Sequence, residues 1–129
     1  MSSKQVVRTE EAPAPFQGAP YAQAVKAAGL VFVSGQLSLR PGVHEIVGES
    51  IEEQTEQVFA NLRAILEAAG TGLDRLVKTT VFLTNLDDFQ GMNSVYAQQV
   101  GDCPPARATV EVSRLPSGAL VEIEAIALA

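Results

Sequence analysis

The chain has 129 residues, 47% of them hydrophobic and 19% charged, with a formal net charge of −6. We therefore expect one folded domain over residues 1–129, because this composition supports a sizeable core and is not that of a disordered chain. The acidic balance and the lack of a Lys/Arg-rich run argue against general binding to nucleic acid or to anionic membranes.

The chain contains one cysteine, Cys103, and one histidine, His44. A lone cysteine cannot form an internal disulfide, which fits the cytoplasm, and the N-terminus lacks the apolar core of a signal peptide. No apolar run approaches membrane-spanning length, so we expect no membrane partner. One cysteine and one histidine do not make an ordinary zinc site, and no glycine-rich phosphate loop is present. We therefore predict no metal and no cofactor.

The N-terminal part of the chain predicts strands separated by turns. Residues 5–8 resemble a short strand, and residues 10–20 are rich in Ala, Pro and Gly, which predicts irregular structure. Residues 21–27 and 30–35 are predicted to form a hairpin that turns at Ala28-Gly29.

Residues 37–48 contain Pro41-Gly42 and predict a loop, with a short strand near Ile46-Val47. From Ile51 to Ala69 the apolar residues then recur at helical spacing. Ser50 and Glu53 have the spacing of a capping box, and Gly70 suits the position just past the helix.

The C-terminal half predicts one further helix and three strands. Residues 76–83 are rich in β-branched residues and predict a mostly buried strand. Residues 86–100 predict a helix with an inward stripe that includes Phe89 and Tyr96. Residues 106–113 and 120–127 predict the last two strands.

The predicted order is β-β-β-α-β-α-β-β, an α+β fold with a single mixed or antiparallel sheet. Two helices can cover only one face of such a sheet. Phe32, Val33 and the alternating C-terminal strands supply more apolar surface than two helices readily cover. We therefore predict that the other face is buried in an oligomer.

Arg107 follows the diproline Pro104-Pro105, which fixes how the chain enters a strand. The alternation places Arg107 and Thr109 on the same side of that strand. A guanidinium fork on a rigid element suits bidentate capture of a carboxylate. The alternative is an ordinary solvated arginine, which position alone favours.

Motifs along nearly the whole chain from Pro13 onward share their order and spacing with one family. They are GAPYAQAV (18–25), VSGQ (33–36), EIVG (45–48), IEEQT (51–55), VKTTVFL (77–83), NSVY (93–96), PPARATVEV (104–112) and LVEIEAIA (120–127). In these segments the chain resembles the reactive intermediate deaminase family, also called the RidA or YjgF family.

The resemblance implies a chorismate-mutase-like fold and a homotrimer with ligand clefts between subunits. It also implies hydrolysis of 2-imino acids, such as 2-iminobutanoate and 2-iminopropanoate, to 2-keto acids and ammonia, without a cofactor. In that reaction Arg107 would pair with the substrate carboxylate. Glu122 would orient and deprotonate the attacking water and return a proton to nitrogen. From the sequence alone Glu124 is an equally good base, and only the resemblance separates the two.

Further residues are assigned to the cleft by resemblance alone. Phe89 also fits the apolar stripe of its helix, and Ser34-Gly35 also fits a simple strand end. The predicted substrate-binding residues are Tyr21, Ser34, Gly35, Phe89, Asn93 and Thr109.

The predicted positions of Arg107 and Glu122 raise a geometric problem. If the last two strands paired as a simple hairpin, Arg107 would lie opposite about Ile126, and Glu122 would be on the order of 16 Å away along the strand. The two residues can share a small substrate only if another strand separates theirs, or if the site is completed across a subunit interface.

Two other functions compete with deamination. One is ribonuclease activity or translation inhibition, which the acidic composition and the absence of a basic aromatic face argue against. The other is a keto-acid-binding or chaperone-like trimer without turnover, because the same arginine would serve for binding alone.

Overall fold

The computed structural model describes residues 3–129, which contain six strands and two α-helices in the order predicted from the sequence. The α+β class is therefore confirmed. The elements are β1 (Gln5–Val7), β2 (Ala24–Ala27), β3 (Leu30–Gln36), α1 (Ile51–Ala68), β4 (Leu76–Leu83), α2 (Phe89–Val100), β5 (Ala106–Glu111) and β6 (Val121–Leu128).

Two predicted elements begin three residues later in the structure, and the strand predicted over residues 106–113 ends two residues earlier, at Glu111. The strand expected from Tyr21 begins only at Ala24, because the buried Gln23 side chain hydrogen-bonds to the backbone of the irregular segment, including Thr9 and Pro13. The helix expected from Leu86 begins with a 3-10 turn, and the α-helix itself starts at Phe89.

The loop between β3 and α1 also differs in detail from the prediction. The short strand expected near Ile46-Val47 is reduced to a single bridge between Leu39 and Ile46.

The six strands form one sheet in the order β1-β2-β3-β6-β4-β5, in which only β4 and β5 are parallel. The last two strands are therefore not a hairpin, because β4 lies between them. The intervening strand that the first alternative requires is therefore present between Arg107 and Glu122.

Helix α1 begins and ends as its sequence predicts. The Ser50 side chain accepts a hydrogen bond from the Glu53 backbone, and the Glu53 carboxylate accepts one from the Ser50 backbone. At the C-terminal end, Gly70 has a φ of 88°, and the Thr71 amide bonds to the Leu66 carbonyl. These bonds satisfy backbone groups that the helix itself leaves unpaired.

Both helices pack on the same face of the sheet, as predicted, and the main core lies between them and the strands. The residues of β6 distinguish the two faces of the sheet, because every second residue of this strand is buried against the helices. The largest fully buried side chains of the core are Phe59, Leu62, Ile65, Leu66, Leu83, Met92 and Ile123.

The opposite face of the sheet, which we call the open face, carries exposed apolar side chains. Phe32 on β3 is 42% exposed and Val110 on β5 is 43% exposed. Within residues 3–129 no helix is both long and apolar enough to cross a bilayer.

Candidate functional site

Arg107 lies on the helix-covered face of the sheet, at its β5 edge. Its guanidinium carbon is 4.7 Å from the centre of the Tyr96 ring and 5.4 Å from the centre of the Phe89 ring, and both rings belong to α2. Arg107 and Asn93 line a cleft of about 410 Å³ together with Tyr96 and Pro105. We call this cleft the arginine half-site. Its half-buried cation and neighbouring amide are suited to binding a small carboxylate.

Phe89 does not belong to the buried stripe of α2, so that part of the sequence interpretation is wrong. The ring is 36% exposed, because Phe89 is the first residue of the helix and its ring lies against Arg107 instead of the core. Phe89 thus lies beside Arg107 but does not itself line the arginine half-site, and its assignment to the cleft stays a prediction.

Glu122 lies on the open face, because its neighbours Val121 and Ile123 are the ones buried toward the helices. It lines a cleft of about 420 Å³, which we call the glutamate half-site. The lining residues are Phe16, Tyr21, Ser34, Gly35, Leu37, Pro116, Glu122 and Glu124.

Gly35 is required for the position of the Glu122 carboxyl group. A Cβ atom at Gly35 would lie 2.8 Å from the Glu122 carboxyl carbon and closer still to its Oε2. Both distances are far inside van der Waals contact. The glycine therefore allows the carboxylate to lie directly against the backbone of β3.

Burial raises the pKa of Glu122, and the nearby charge of Glu124 raises it further. Glu124 is exposed, so the two carboxylates, which the sequence could not rank, have different environments. A carboxyl group with a raised pKa is better suited to exchange protons near neutral pH.

The two hydroxyl groups of the glutamate half-site play opposite hydrogen-bonding roles toward a ligand. The Ser34 hydroxyl donates to the Ala22 carbonyl at 2.6 Å, so only its lone pairs are free for the cleft. The Tyr21 oxygen accepts from the Phe16 amide at 2.6 Å, which leaves its hydrogen free to donate. The half-site thus offers an acceptor at Ser34 and a donor at Tyr21.

Arg107 and Glu122 do not meet within one chain. Arg107 is in register with Thr79 of β4, and Glu122 is in register with Phe82 of the same strand. The two positions differ by three residues, or about 10 Å along β4, and the side chains leave the sheet on opposite faces. Most of the predicted residues therefore fall into two groups. Arg107 and Asn93 line the arginine half-site, the glutamate half-site is lined by Tyr21, Ser34, Gly35 and Glu122, and neither cleft is lined by Phe89 or Thr109.

Thr109 lies on the same side of β5 as Arg107, but its hydroxyl is buried with no hydrogen-bond partner among the described residues. Cys103 is exposed in the loop before β5. Residues 3–129 hold no group of three or more His, Cys, Asp or Glu side chains placed to bind a metal ion.

The chain matches the family model described as Endoribonuclease L-PSP over residues 9–129. It is 51% identical over 124 residues to a RutC family protein of Pyrococcus horikoshii, with 96% of this chain and 97% of that protein covered. It is 48% identical to Reactive Intermediate Deaminase A, chloroplastic, of Arabidopsis thaliana, over 96% of this chain and 65% of that protein.

A solved structure of Escherichia coli TdcF with bound serine is 37% identical and superposes with a TM-score of 0.89, covering 97% of this chain and 98% of that one. The chain belongs to the RidA family. The resemblance seen in its motifs is thereby confirmed, and so is the fold that it implied.

Two features of this RidA-family site were not assigned from the sequence. The sequence predicts Tyr96 only as a core residue, although it lies three residues after Asn93 and seven after Phe89, which places all three on one side of α2. Phe16 falls in a segment that is predicted to be irregular, yet its ring lines the glutamate half-site and lies 6.0 Å from the ring of His44. The helical spacing could have revealed Tyr96, whereas no local signal pointed to Phe16.

Proposed function

We propose that this RidA-family protein hydrolyses small 2-imino acids, such as 2-iminobutanoate and 2-iminopropanoate, to 2-keto acids and ammonia. The observation that carries the proposal is the pair of half-sites with complementary chemistry. One offers Arg107, which can bind a carboxylate, and the other offers Glu122, whose raised pKa suits proton transfer. The plant relative named as a reactive intermediate deaminase supports the same assignment.

The active form in this proposal is a homotrimer in which the arginine half-site of one subunit meets the glutamate half-site of the next. The opposite orientations of Arg107 and Glu122 support this assembly, because neither half-site contains both residues. The exposed apolar side chains of the open face, including Phe32 and Val110, provide a surface for subunit contacts.

In the shared cleft, Arg107 would hold the substrate carboxylate and so fix the adjacent C=N carbon. The protonated imine nitrogen would donate to the Ser34 oxygen, whose own hydrogen is already used. Glu122 would take a proton from water as the water oxygen bonds to the C=N carbon, giving a tetrahedral carbinolamine.

The carbinolamine then breaks down by cleavage of its C–N bond. Protonated Glu122 returns its proton to the nitrogen, which leaves as ammonia. The hydroxyl oxygen gives its proton to the Glu122 carboxylate and forms the new carbonyl of the 2-keto acid, and solvent water then takes that proton from Glu122. Tyr21 can donate a hydrogen bond to that oxygen, because its own oxygen already accepts from the Phe16 amide.

A second candidate function is binding of a small carboxylate without turnover. The serine bound to the related TdcF protein favours it, because serine also carries a carboxylate next to a nitrogen-bearing carbon. The name of the family model raises ribonuclease activity as well, but the net charge of −6 argues against an RNA-binding surface.

The test is the decay of 2-iminobutanoate released by a threonine dehydratase, with semicarbazide trapping the imine that remains. Wild type should suppress trapping, whereas Arg107→Ala and Glu122→Gln should not. The exposed residues Arg40 and Glu56 supply the matched controls Arg40→Ala and Glu56→Gln, which should behave as wild type. Well-folded wild-type protein that leaves trapping unchanged would exclude deamination of this imine, and keto-acid binding would then remain.

A further inference from the structure

The Tyr96 side chain is fixed by contacts on two sides. Its hydroxyl lies 2.6 Å from the Thr79 hydroxyl in a buried hydrogen bond. Its ring packs edge to face on Phe59, with 5.3 Å between ring centres and 83° between ring planes. Tyr96 is only 5% exposed, and both of its partners are completely buried. The ring therefore has a defined position and little freedom to move.

Arg107 rests on this fixed ring. Its guanidinium carbon is 4.7 Å from the Tyr96 ring centre, and its backbone is in register with Thr79, the residue that holds the Tyr96 hydroxyl. The strand position of Arg107 and the position of the ring are thus tied to the same residue of β4. Phe89 adds a second ring 5.4 Å from the guanidinium carbon on the more exposed side.

An aromatic ring restricts a guanidinium without using its hydrogen-bond donors. Arginine has several rotatable bonds, and an unrestrained fork would sample many orientations. Contact with a ring face is favourable to the cation and leaves N–H groups free for a carboxylate. Burial raises the pKa of Tyr96, while the Thr79 hydrogen bond, the Arg107 charge and hydrogen bonding by Arg107 oppose that rise.

We infer that Tyr96 is a positioning residue: its ring orients Arg107 and so determines how strongly the site distinguishes a carboxylate ligand from its neutral carboxamide. The inference rests on the proposed function for the identity of the ligand. The inference adds to the proposed site a residue that acts through Arg107 and touches neither the substrate carboxylate nor the reacting carbon. It also predicts that the ring, more than the hydroxyl, carries the effect.

Three variants separate the ring from its hydrogen bond. Tyr96→Leu removes the aromatic ring on which Arg107 rests. Tyr96→Phe combined with Thr79→Val keeps the ring and removes both hydroxyl groups, so neither is left buried without a partner. Met92→Ala is the matched control, because Met92 is fully buried on the same helix but does not line the arginine half-site.

The measurement is the dissociation constant of 2-oxobutanoate and of its neutral amide, 2-oxobutanamide, obtained by NMR titration of each protein. We expect Tyr96→Leu to weaken binding of the keto acid by about tenfold, the loss of one charge-assisted hydrogen bond. Binding of the amide should change by less than about twofold, because the amide does not depend on the charge of Arg107. The Tyr96→Phe, Thr79→Val double variant and the Met92→Ala variant should both keep the wild-type ratio of the two dissociation constants, that of the amide divided by that of the keto acid.

A ratio that stays at the wild-type value in Tyr96→Leu, or that falls equally in Met92→Ala, would overturn the inference. So would a wild-type protein with no preference for the keto acid. Imine hydrolysis is measured separately on the same proteins. If the wild type hydrolyses no imine but the binding ratio shifts as expected, the deaminase proposal fails while the role of Tyr96 stands.

Discussion

Arg107 and Glu122 lie on strands that flank the same strand, β4, yet their side chains leave the sheet on opposite faces. Arg107 packs on the rings of α2, whereas Glu122 lies on the open face beside Gly35. The separation along β4 and the sheet itself keep the two groups apart. One chain therefore presents two different halves of the proposed cleft, and neither half contains both residues.

Mixed oligomers of two inactive variants should regain activity. When Arg107→Ala and Glu122→Gln chains are co-expressed with different tags and purified through both, some clefts combine the intact Arg107 of one chain with the intact Glu122 of its neighbour. A trimer that carries both tags contains two chains of one kind and one of the other, and with either composition about one third of its clefts are intact. Imine hydrolysis by the doubly tagged oligomers should rise to about that fraction of wild type.

A double variant carrying both substitutions, co-expressed with wild type, is the control for this experiment. In doubly tagged trimers it should leave about one sixth of the clefts intact if they lie between chains, but about one half if each lies within a chain. Failure of the two single variants to complement each other would contradict the shared cleft.

Replacing Gly35 by alanine should abolish most of the activity while preserving the fold. The added Cβ would displace the Glu122 carboxyl group, whose carbon lies 2.8 Å from that position. Because Gly35 has no left-handed backbone conformation, alanine itself is tolerated there. We expect kcat/KM for 2-iminobutanoate to fall by at least about tenfold, since loss of a positioned proton-transfer group has effects of this size or larger.

Gly72→Ala is the matched control, because its new Cβ would meet only the mobile end of the Asp74 side chain. Circular dichroism should show native spectra for both glycine variants. Full activity of Gly35→Ala would show that Glu122 does not need its present position.

The raised pKa of Glu122 should make the protein less stable at neutral pH than a variant with a neutral side chain there. The folded state holds this proton more tightly than the unfolded chain, whose glutamate has the ordinary pKa of 4.5. The free energy of unfolding therefore falls as pH rises from the ordinary to the raised pKa, and stays lowered above it.

Glu122→Gln should consequently raise Tm by a few degrees at pH 8 and leave it unchanged below pH 4.5. Scanning calorimetry at fixed protein concentration measures this difference. Glu56→Gln, on the exposed side of α1, should show no such dependence. An equal Tm for wild type and Glu122→Gln at every pH would contradict the raised pKa.

Introducing a charge on the open face should dissociate the oligomer and remove the activity together. Phe32 is 42% exposed in the isolated chain, and burial of an aspartate there in a subunit interface would be strongly unfavourable. Analytical ultracentrifugation of Phe32→Asp should show a smaller particle that does not hydrolyse 2-iminobutanoate.

Leu86→Asp provides a comparison at an apolar residue that is 46% exposed but lies outside the sheet. It should keep both the mass and the activity of wild type. A Phe32→Asp protein of wild-type mass would argue against a subunit contact at this face.

The parts of the fold that depend on neighbouring residues were predictable from the sequence. Helix α1 was bounded correctly because Ser50, Glu53 and Gly70 act within one turn of its ends. The strand of residues 76–83 was also placed correctly, since its β-branched composition is a local property.

Features that depend on distant contacts were not predictable. From the sequence, Gly91 indicates only a local weakening of the helix predicted over residues 86–100. The structure shows that a Cβ there would lie 2.6 Å from Ile51 and 2.9 Å from Glu52, so the glycine allows the two helices to approach closely. In the same way, the alternation of residues predicts that Arg107 and Thr109 lie on one side of their strand. Only the pairing of that strand with β4 determines whether this side belongs to the helix-covered face or to the open face.

If the proposed cleft forms between subunits, the opposed half-sites also restrict the symmetry of the active assembly. A two-fold dimer joins identical patches, and two patches on opposite faces of one sheet cannot both meet the same neighbour across a single contact. Each chain must instead join one neighbour through the arginine half-site and a different neighbour through the glutamate half-site. Such head-to-tail contacts leave an unmatched half at each end of an open chain of subunits. Only ring closure removes those ends and gives every subunit a complete cleft.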